Sequence, residues 1–137
     1  MTFSDFFDRL GNLDWLAVLV GAIVFMVLGA LWFGPLFGKQ WSAGTGKPRM
    51  SGIPQANKLV GTFAYSFVVS AGVNYFGVLD DIEHAVVSAI LLGVFMIGAA
   101  AYAAVVWMDE KVGVWIINVG FWFVGIAVVN FVQGLLA

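Results

Sequence analysis

The chain has 137 residues, of which 62% are hydrophobic and only 10% are charged, and its mean hydropathy is +1.00. Globular domains are about 25% charged, so this composition excludes an ordinary water-soluble domain and indicates an integral membrane protein. The chain has no cysteine, which excludes disulfides, thiolate nucleophiles and cysteine-ligated metals.

The first twelve residues, MTFSDFFDRLGN, predict an amphipathic helix. Apolar side chains share one face: Phe3, Phe6, Phe7 and Leu10. Charged and hydroxyl side chains share the other: Ser4, Asp5, Asp8 and Arg9. A phenylalanine-rich face suits the headgroup layer, so residues 1–12 are predicted to lie along the membrane surface. The alternative is a helix docked on a partner protein.

Residues 13–137 are predicted to form one membrane domain with four spans. Four apolar stretches without a charged residue cover 15–34, 59–79, 85–108 and 112–137. A helix rises about 1.5 Å per residue and needs about 20 residues to cross a hydrocarbon core of about 30 Å. The prediction is an all-α, integral membrane four-helix bundle preceded by the interfacial helix.

The distribution of Lys and Arg predicts the orientation. Four basic residues lie in loop 35–58 and Lys111 lies between the last two spans, whereas Arg9 alone lies on the other side. By the positive-inside rule, loop 35–58 is cytoplasmic and both termini are outside. We expect a multi-pass protein of the cell membrane, inner or plasma.

The first span ends in GALWFGPLFGKQW, residues 29–41. Gly34-Pro35 predicts a helix break, and Lys39 with Trp41 is expected to anchor the exit at the interface. This segment is either a membrane exit or a short interfacial turn. Residues 42–58 are rich in Gly, Ser and Pro and predict a mobile loop.

Two segments resemble the small membrane proteins catalogued as domain of unknown function 1761. They are residues 28–41, LGALWFGPLFGKQW, and residues 115–121, WIINVGF. The motif residues are Trp32, Pro35, Gly38, Lys39, Trp41, Asn118 and Gly120. The resemblance implies tyrosine where this chain has Phe33 and Phe121. It implies a four-span fold and no assigned activity.

Polar side chains inside the spans are the candidate site residues, because each must find a partner or line water. The candidate intramembrane site comprises Tyr65, Ser70, Asn74, Tyr102, Asn118 and Asn130. Tyr65, Tyr102 and Asn118 fall at similar depth near the cytoplasmic side, whereas Asn74 and Asn130 lie nearer the outside. These residues are either interhelical hydrogen-bonding groups or the lining of a pocket or path for a neutral solute.

Small residues four apart indicate close helix packing within the bundle or between subunits. The pairs are Ala17 and Gly21, Ala89 and Gly93, and Ala100 and Ala104.

The segment LDDIEHA, residues 79–85, has two interpretations. Its carboxylates and the chain's single histidine suggest a divalent cation, but adjacent helical positions do not converge on one point. The simpler interpretation is a helix cap, because Asp80 and Glu83 have capping-box-like spacing. We expect no metal site and no cofactor.

Two functions from different classes remain open. The first is a homo-oligomeric bundle that binds or passes a neutral or lipid-like small molecule. The second is a non-catalytic accessory subunit that packs against a larger membrane complex. We expect no enzymatic activity and no nucleic-acid partner; the expected partners are membrane lipids and either further copies of the chain or a larger complex.

Overall fold

The computed structural model describes residues 1–49 and 52–137. Within these residues the chain is helical, as predicted, and has no strand. Its elements are α1 (Phe3–Gly11), α2 (Trp15–Leu31), a first π segment (Trp32–Leu36), α3 (Gly38–Thr45), α4 (Ala56–Phe76), α5 (Ile82–Ala89), a second π segment (Ile90–Gly98), α6 (Ala99–Trp107) and α7 (Val112–Leu136).

Four continuous helices are long and apolar enough to cross a membrane, which confirms the predicted all-α membrane bundle. These first to fourth spans are Trp15–Leu36, Ala56–Phe76, Ile82–Trp107 and Val112–Leu136. The second and third spans each begin three residues before the predicted apolar stretch. Hydropathy marks the lipid-exposed part of a helix, whereas its ends depend on capping and backbone geometry.

Capping sets the hairpin between the second and third spans. Gly77 ends α4 with a φ of +98°, a backbone conformation that suits glycine. The Asp81 side chain accepts a hydrogen bond from the Glu83 N–H at 3.1 Å and begins α5. The cap is therefore Asp81, one residue after the Asp80 that the spacing suggested.

The first span continues through Gly34-Pro35, where the sequence predicted a break. Pro35 lacks an N–H, and its ring would clash with the carbonyl four residues earlier in an α-helix. The helix widens instead into a π turn, in which the Phe37 N–H donates to the Trp32 carbonyl at 2.8 Å. The chain leaves helical geometry only at Phe37 (φ −123°, ψ 6°).

A short helix, α3, follows the first span. It covers Gly38–Thr45, so residues 42–45 are helical rather than part of the predicted loop. It ends at Gly46, whose φ of +74° lies in the left-handed region that favours glycine. Gly44 lets α3 lie against Val114 of α7, because a Cβ at position 44 would overlap that side chain. The loop prediction for Met50 and Ser51 lies outside the described residues.

Helix α1 begins with a reciprocal capping box. The Thr2 N–H donates to Asp5 Oδ2 at 2.8 Å, and the Asp5 N–H donates to Thr2 Oγ1 at 3.1 Å. The hydrogen bonds from the Thr2 backbone and hydroxyl lower the pKa of the Asp5 carboxyl below its ordinary value. The first turn of the helix is thus fixed locally, without burial.

One face of α1 contacts the end of α4 and another stays exposed. The Arg9 guanidinium lies 5.0 Å from the centroid of the Tyr75 ring, and the Phe6 ring lies 5.5 Å from it. Phe3 and Phe7 are 85% and 61% exposed. An exposed aromatic face is compatible with both predicted roles, a membrane-surface helix and a partner-binding helix.

The fourth span, α7, is the central helix of the bundle. It packs against α2, α4, α5 and the second π segment, and α2 also packs against α4. The core around it contains Phe25, Val73, Ala89, Phe121, Ile126 and Val129. A Cβ at Gly125 would lie 2.6 Å from the Phe25 ring, and one at Gly134 would overlap the Leu79 carbonyl oxygen. Missing side chains on α7 therefore set how closely its neighbours approach.

The two ends of the bundle differ in charge. The basic end comprises residues 37–49, 52–58 and 109–111 and contains Lys39, Lys47, Arg49, Lys58 and Lys111. The acidic end comprises α1, Asp14 and residues 77–83 and contains six of the eight carboxylates: Asp5, Asp8, Asp14, Asp80, Asp81 and Glu83. That the basic end is cytoplasmic remains a prediction.

We predict that Gly134→Ala destabilises the bundle by about 1–3 kcal/mol, because the added methyl group must displace the Leu79–Asp80 backbone. Thermal unfolding of the detergent-solubilised protein, followed by circular dichroism, measures the effect. Gly61→Ala is the matched control. A Cβ at Gly61 meets open space, so alanine there should leave stability unchanged or raise it by up to about 1 kcal/mol. Equal melting temperatures for the two variants would contradict the proposed packing constraint.

Candidate functional site

The two sequence segments that carry the family resemblance meet at the basic end of the bundle. The Trp32 Nε1–H donates to the Ile117 carbonyl on α7 at 3.0 Å. Gly120 gives the indole room, because a Cβ there would lie 3.1 Å from Trp32 Cζ2. On the other side of α7, the Trp115 Nε1–H donates to the Gly98 carbonyl at 2.9 Å. Two indoles thus fasten the first and third spans to the fourth.

An aromatic cluster lies beside this junction. The Phe33 ring is 5.3 Å from Phe121 and 6.1 Å from Trp41, measured between centroids. Such separations are typical of favourable aromatic pairs. Gly38 is required at the turn between Phe33 and Trp41, because a Cβ there would overlap the Phe33 carbonyl oxygen. The first span, α3 and α7 are therefore packed together through Phe33.

A pocket of about 640 Å³ opens next to this cluster, and we call it the basic pocket. It is lined by Phe33, Trp41, Pro48, Arg49, Ile53, Pro54, Gln55, Lys58 and Asn118. The Arg49 Nη2 lies 3.4 Å from the Gly34 carbonyl oxygen, so its guanidinium reaches the π turn around Pro35. The pocket contains two cations, two amides and aromatic walls.

A second depression of about 400 Å³, which we call the apolar groove, adjoins the basic pocket. It runs between the first and second spans and is lined by Phe25, Met26, Val27, Gly29, Ala30, Phe33, Pro54, Leu59, Thr62 and Tyr65. Phe33 and Pro54 line both spaces. Val27, Ala30 and Tyr65 are exposed, so the groove opens on the side of the bundle that faces lipid.

The half of the bundle nearer the acidic end contains a buried polar network. Gln133 Nε2 donates to the Ser70 hydroxyl at 2.7 Å and to the Ser70 carbonyl at 3.2 Å. Ser70 Oγ donates to the Val18 carbonyl at 2.7 Å. Asn74 Nδ2 donates to Gln133 Oε1 at 3.1 Å, and Asn74 Oδ1 accepts from the Asp14 N–H at 3.2 Å. The network connects the first, second and fourth spans.

This network is closed. Ser70 and Gln133 are both 0% exposed, and both N–H donors of the Gln133 amide are used. Gly21 makes room for it, because a Cβ there would overlap Ser70 Oγ and lie 2.7 Å from Gln133 Nε2. In lipid, unpaired amide groups cost several kcal/mol, so this pairing is a condition for the contact between the three spans.

The family model described as "Protein of unknown function (DUF1761)" matches residues 16–134, which is most of the chain. The chain belongs to the DUF1761 family. No curated protein and no solved structure matches it. The match confirms the family resemblance and supports an integral membrane protein of unassigned function.

In this DUF1761 protein the motif residues form one packing junction. Trp32 bonds to α7 beside Gly120, Pro35 widens the helix, Gly38 makes the turn and Trp41 lines the basic pocket. Asn118 lines the same pocket from α7. Lys39 is exposed on α3. Phe33 and Phe121, where the resemblance implies tyrosine, contact one another.

The six candidate polar residues separate into different surroundings. Ser70 and Asn74 meet in the buried network. Tyr65 lines the apolar groove and Asn118 the basic pocket, whereas Tyr102 packs edge-to-face on Trp115, 5.1 Å away, on another side of α7. The three residues of similar predicted depth therefore do not form a single site.

Asn130 is 1% exposed, and neither amide atom has a hydrogen-bond partner among the described residues. Ser66 Oγ is likewise buried without a partner there. Buried polar atoms of this kind typically bond to ordered water. Asn130 lies one turn before Gly134, which contacts the Leu79 backbone near the acidic end.

The acidic segment LDDIEHA caps a helix and closes a turn. Asp81 caps α5, and His84 Nε2 lies 3.1 Å from the Gly77 carbonyl oxygen. Across residues 1–49 and 52–137, no group of three or more His, Asp or Glu side chains is placed to hold a metal ion.

Three residues of these sites were not among the candidates from the sequence. Gln133 is the centre of the network, and Arg49 and Lys58 line the basic pocket. The signal for Gln133 was its place in a span together with Asn130. Lys58 directly precedes Leu59, the predicted start of the second span, and this position indicates that it lies at the membrane surface. Arg49 lies inside the predicted loop, where no such neighbouring span indicates its position.

We predict that Gln133→Leu lowers the free energy of unfolding by about 1–3 kcal/mol, because Asn74 Nδ2 loses its acceptor and the buried Ser70 hydroxyl loses its donor. A double-mutant cycle with Ser70→Ala should give a coupling of about 0.6 kcal/mol, and at most about 1.7 kcal/mol. Gln40→Leu, at an exposed position of α3, is the control and should change stability by less than about 0.5 kcal/mol. Strictly additive effects of the two network substitutions would refute the bond between Ser70 and Gln133.

Proposed function

We propose that this membrane protein binds a lipid-like amphiphile in the cleft formed by the apolar groove and the basic pocket. The observation that carries the proposal is that the two spaces adjoin, with Phe33 and Pro54 lining both. A ligand with an apolar chain and a polar head matches such a cleft, because each part meets a wall of its own polarity. Each volume lies within the range of small-molecule sites, about 300–1,000 Å³.

The position of the groove supports a ligand that enters from the bilayer. Its exposed wall residues, including Val27, Ala30 and Tyr65, lie on helices that are long and apolar enough to span a membrane. An amphiphile already dissolved in the membrane reaches this wall by lateral diffusion and needs no aqueous path. The proposal includes no catalytic step.

Binding is better supported than passage through the bundle. Passage through the acidic half would have to break the hydrogen bonds among Ser70, Asn74 and Gln133, which connect the second and fourth spans in the buried interior. The cleft lies at the opposite end, and its apolar half opens on the side of the bundle.

Homo-oligomer formation belongs to the proposal as well. The small residues Ala17, Gly21, Ala89 and Gly93 are buried within one bundle. By contrast, Ala99, Ala100 and Ala103 are exposed on the third span. Small residues on an exposed helix face permit close contact with a second copy in lipid.

Ala30→Phe tests the binding proposal by placing a ring in the apolar groove. We expect the affinity for added phospholipid to fall at least about tenfold, as measured by native mass spectrometry of the delipidated full chain in detergent. Ala64→Phe is the matched control, because Ala64 is an exposed alanine of the second span that does not line the groove. Equal affinities for the two variants would contradict lipid binding in the cleft.

The alternative function, an accessory subunit of a larger membrane complex, is favoured by the exposed face of α1. Phe3 and Phe7 project from a helix that the capping box and Tyr75 hold in place. Deletion of residues 1–11 should then release the protein from a co-purifying partner in mild detergent. If the truncated chain retains the partner at full stoichiometry, α1 is not the docking element; if the full chain purifies without any partner, the subunit hypothesis fails.

A further inference from the structure

The basic pocket holds an excess of positive charge at the mouth of the apolar groove. Arg49 and Lys58 line it, and no Asp or Glu is among its lining residues in the described part of the chain. Lys39 and Lys47, from the same end of the bundle, do not line it there. The pocket is therefore lined by two particular cations, Arg49 and Lys58, and not by all the basic residues of that end.

The donors around this pair fit a phosphate group. A guanidinium presents a planar fork of N–H donors that matches phosphate oxygens, and a lysine ammonium contributes a compact charge. Gln55 and Asn118 bring side-chain amides to the same pocket, and Trp41 forms part of its wall. An uncharged headgroup would leave both cations without a counter-charge.

The second span links the charged pocket to the groove. Lys58 lines the basic pocket, and the next residue, Leu59, lines the apolar groove. Thr62 and Tyr65 continue the groove along the same helix, so it extends about 9 Å from Leu59 towards the middle of the span. A headgroup at Lys58 therefore places an acyl chain directly on the groove.

We propose that the cleft selects an anionic phospholipid, with its phosphate between Arg49 and Lys58 and an acyl chain in the apolar groove. This inference rests on the proposed function and adds the charge of the headgroup to it. If the basic end is cytoplasmic, as the sequence predicts, the lipid comes from the cytoplasmic leaflet, which is enriched in anionic lipids.

The test compares phosphatidylglycerol with phosphatidylcholine of the same acyl chains, added to the delipidated full chain and measured by native mass spectrometry. Two cations that each contribute about fivefold predict a preference for phosphatidylglycerol of about twenty-five-fold. The double variant Arg49→Gln/Lys58→Gln should lose this preference, and its affinity for phosphatidylglycerol should fall further than its affinity for phosphatidylcholine, whose phosphate is paired with a choline cation. The matched control, Lys39→Gln/Lys47→Gln, removes the same charge outside the pocket and should retain the preference.

Each contrary result has a distinct meaning. Equal loss in the control would show that the overall charge of the basic end selects the lipid, and would overturn the inference. A wild-type chain that binds both lipids equally, with binding abolished by Ala30→Phe, would overturn the headgroup inference and leave the proposed function standing. If wild type binds neither lipid, or Ala30→Phe has no effect, the proposed function fails and this inference fails with it.

Two further measurements distinguish a bound lipid from a free anion and provide a readout that needs no variant. Inorganic phosphate at matched ionic strength should not displace phosphatidylglycerol; displacement would assign the pocket to a free anion.

If the double variant does not fold, the wild-type chain supplies the second readout. Its preference must decrease as ionic strength rises, because salt screens the two exposed cations. A preference that is independent of salt would overturn the inference.

Discussion

The structure depends on the close approach of neighbouring helices to the fourth span. In lipid there is no hydrophobic driving force for helices to associate, so packing and hydrogen bonds must hold them together. The Phe25 ring lies where a Cβ of Gly125 would be, the Trp32 indole lies against Gly120, and the Leu79 backbone lies against Gly134. Each glycine shortens one interhelical distance and thereby increases the number of dispersion contacts between the helices. The fourth span can approach the first span and the hairpin between the second and third spans because it lacks side chains at these points.

The fourth span takes part in two different regions of the bundle, one towards each end. Towards the acidic end, Gly21 brings the first span close enough for Ser70 to bond to the Val18 carbonyl and to Gln133. Ser70 and Gln133 are fully buried in that contact. Towards the basic end, large aromatic side chains replace the small ones, and Phe33 and Tyr65 form walls of the groove rather than a closed contact. Pro35 adds to this difference, since its π turn lets the first span continue to α3, which supplies Trp41 to the pocket. The closed hydrogen-bonded network and the open cleft are thus built on the same three helices.

Much of the fold was predictable from the sequence and much of the site was not, for a physical reason. Hydropathy and length determine that a segment crosses the membrane and at what depth a residue lies, and the four spans followed from them, whereas the family followed from the motif residues in 28–41 and 115–121. Neither determines the rotation of a helix about its own axis. Tyr65, Tyr102 and Asn118 have similar depth, yet rotation directs them to the groove, to Trp115 and to the basic pocket. The rotation of α7 about its axis also places Gln133 at the centre of the network. This rotation follows from the packing at Gly125 and Gly134, which only the assembled bundle shows. Loop residues such as Arg49 have no periodicity, so their return to the pocket could not be predicted.

This chain has Phe33 and Phe121 where the family resemblance implies tyrosine, and the structure shows what surrounds them. Phe33 and Phe121 lie 5.3 Å apart, centroid to centroid, and Phe33 lines both the groove and the pocket. A tyrosine at position 33 would add a hydroxyl to this shared wall, and that hydroxyl would need a partner wherever water is excluded. With phenylalanine at both positions, the side chain that groove and pocket share is apolar, and the two cations lie only in the pocket, together with Asn118 and Gln55. The charged part of the cleft therefore lies at one end, and an amphiphile with an anionic head likewise carries its charge at one end.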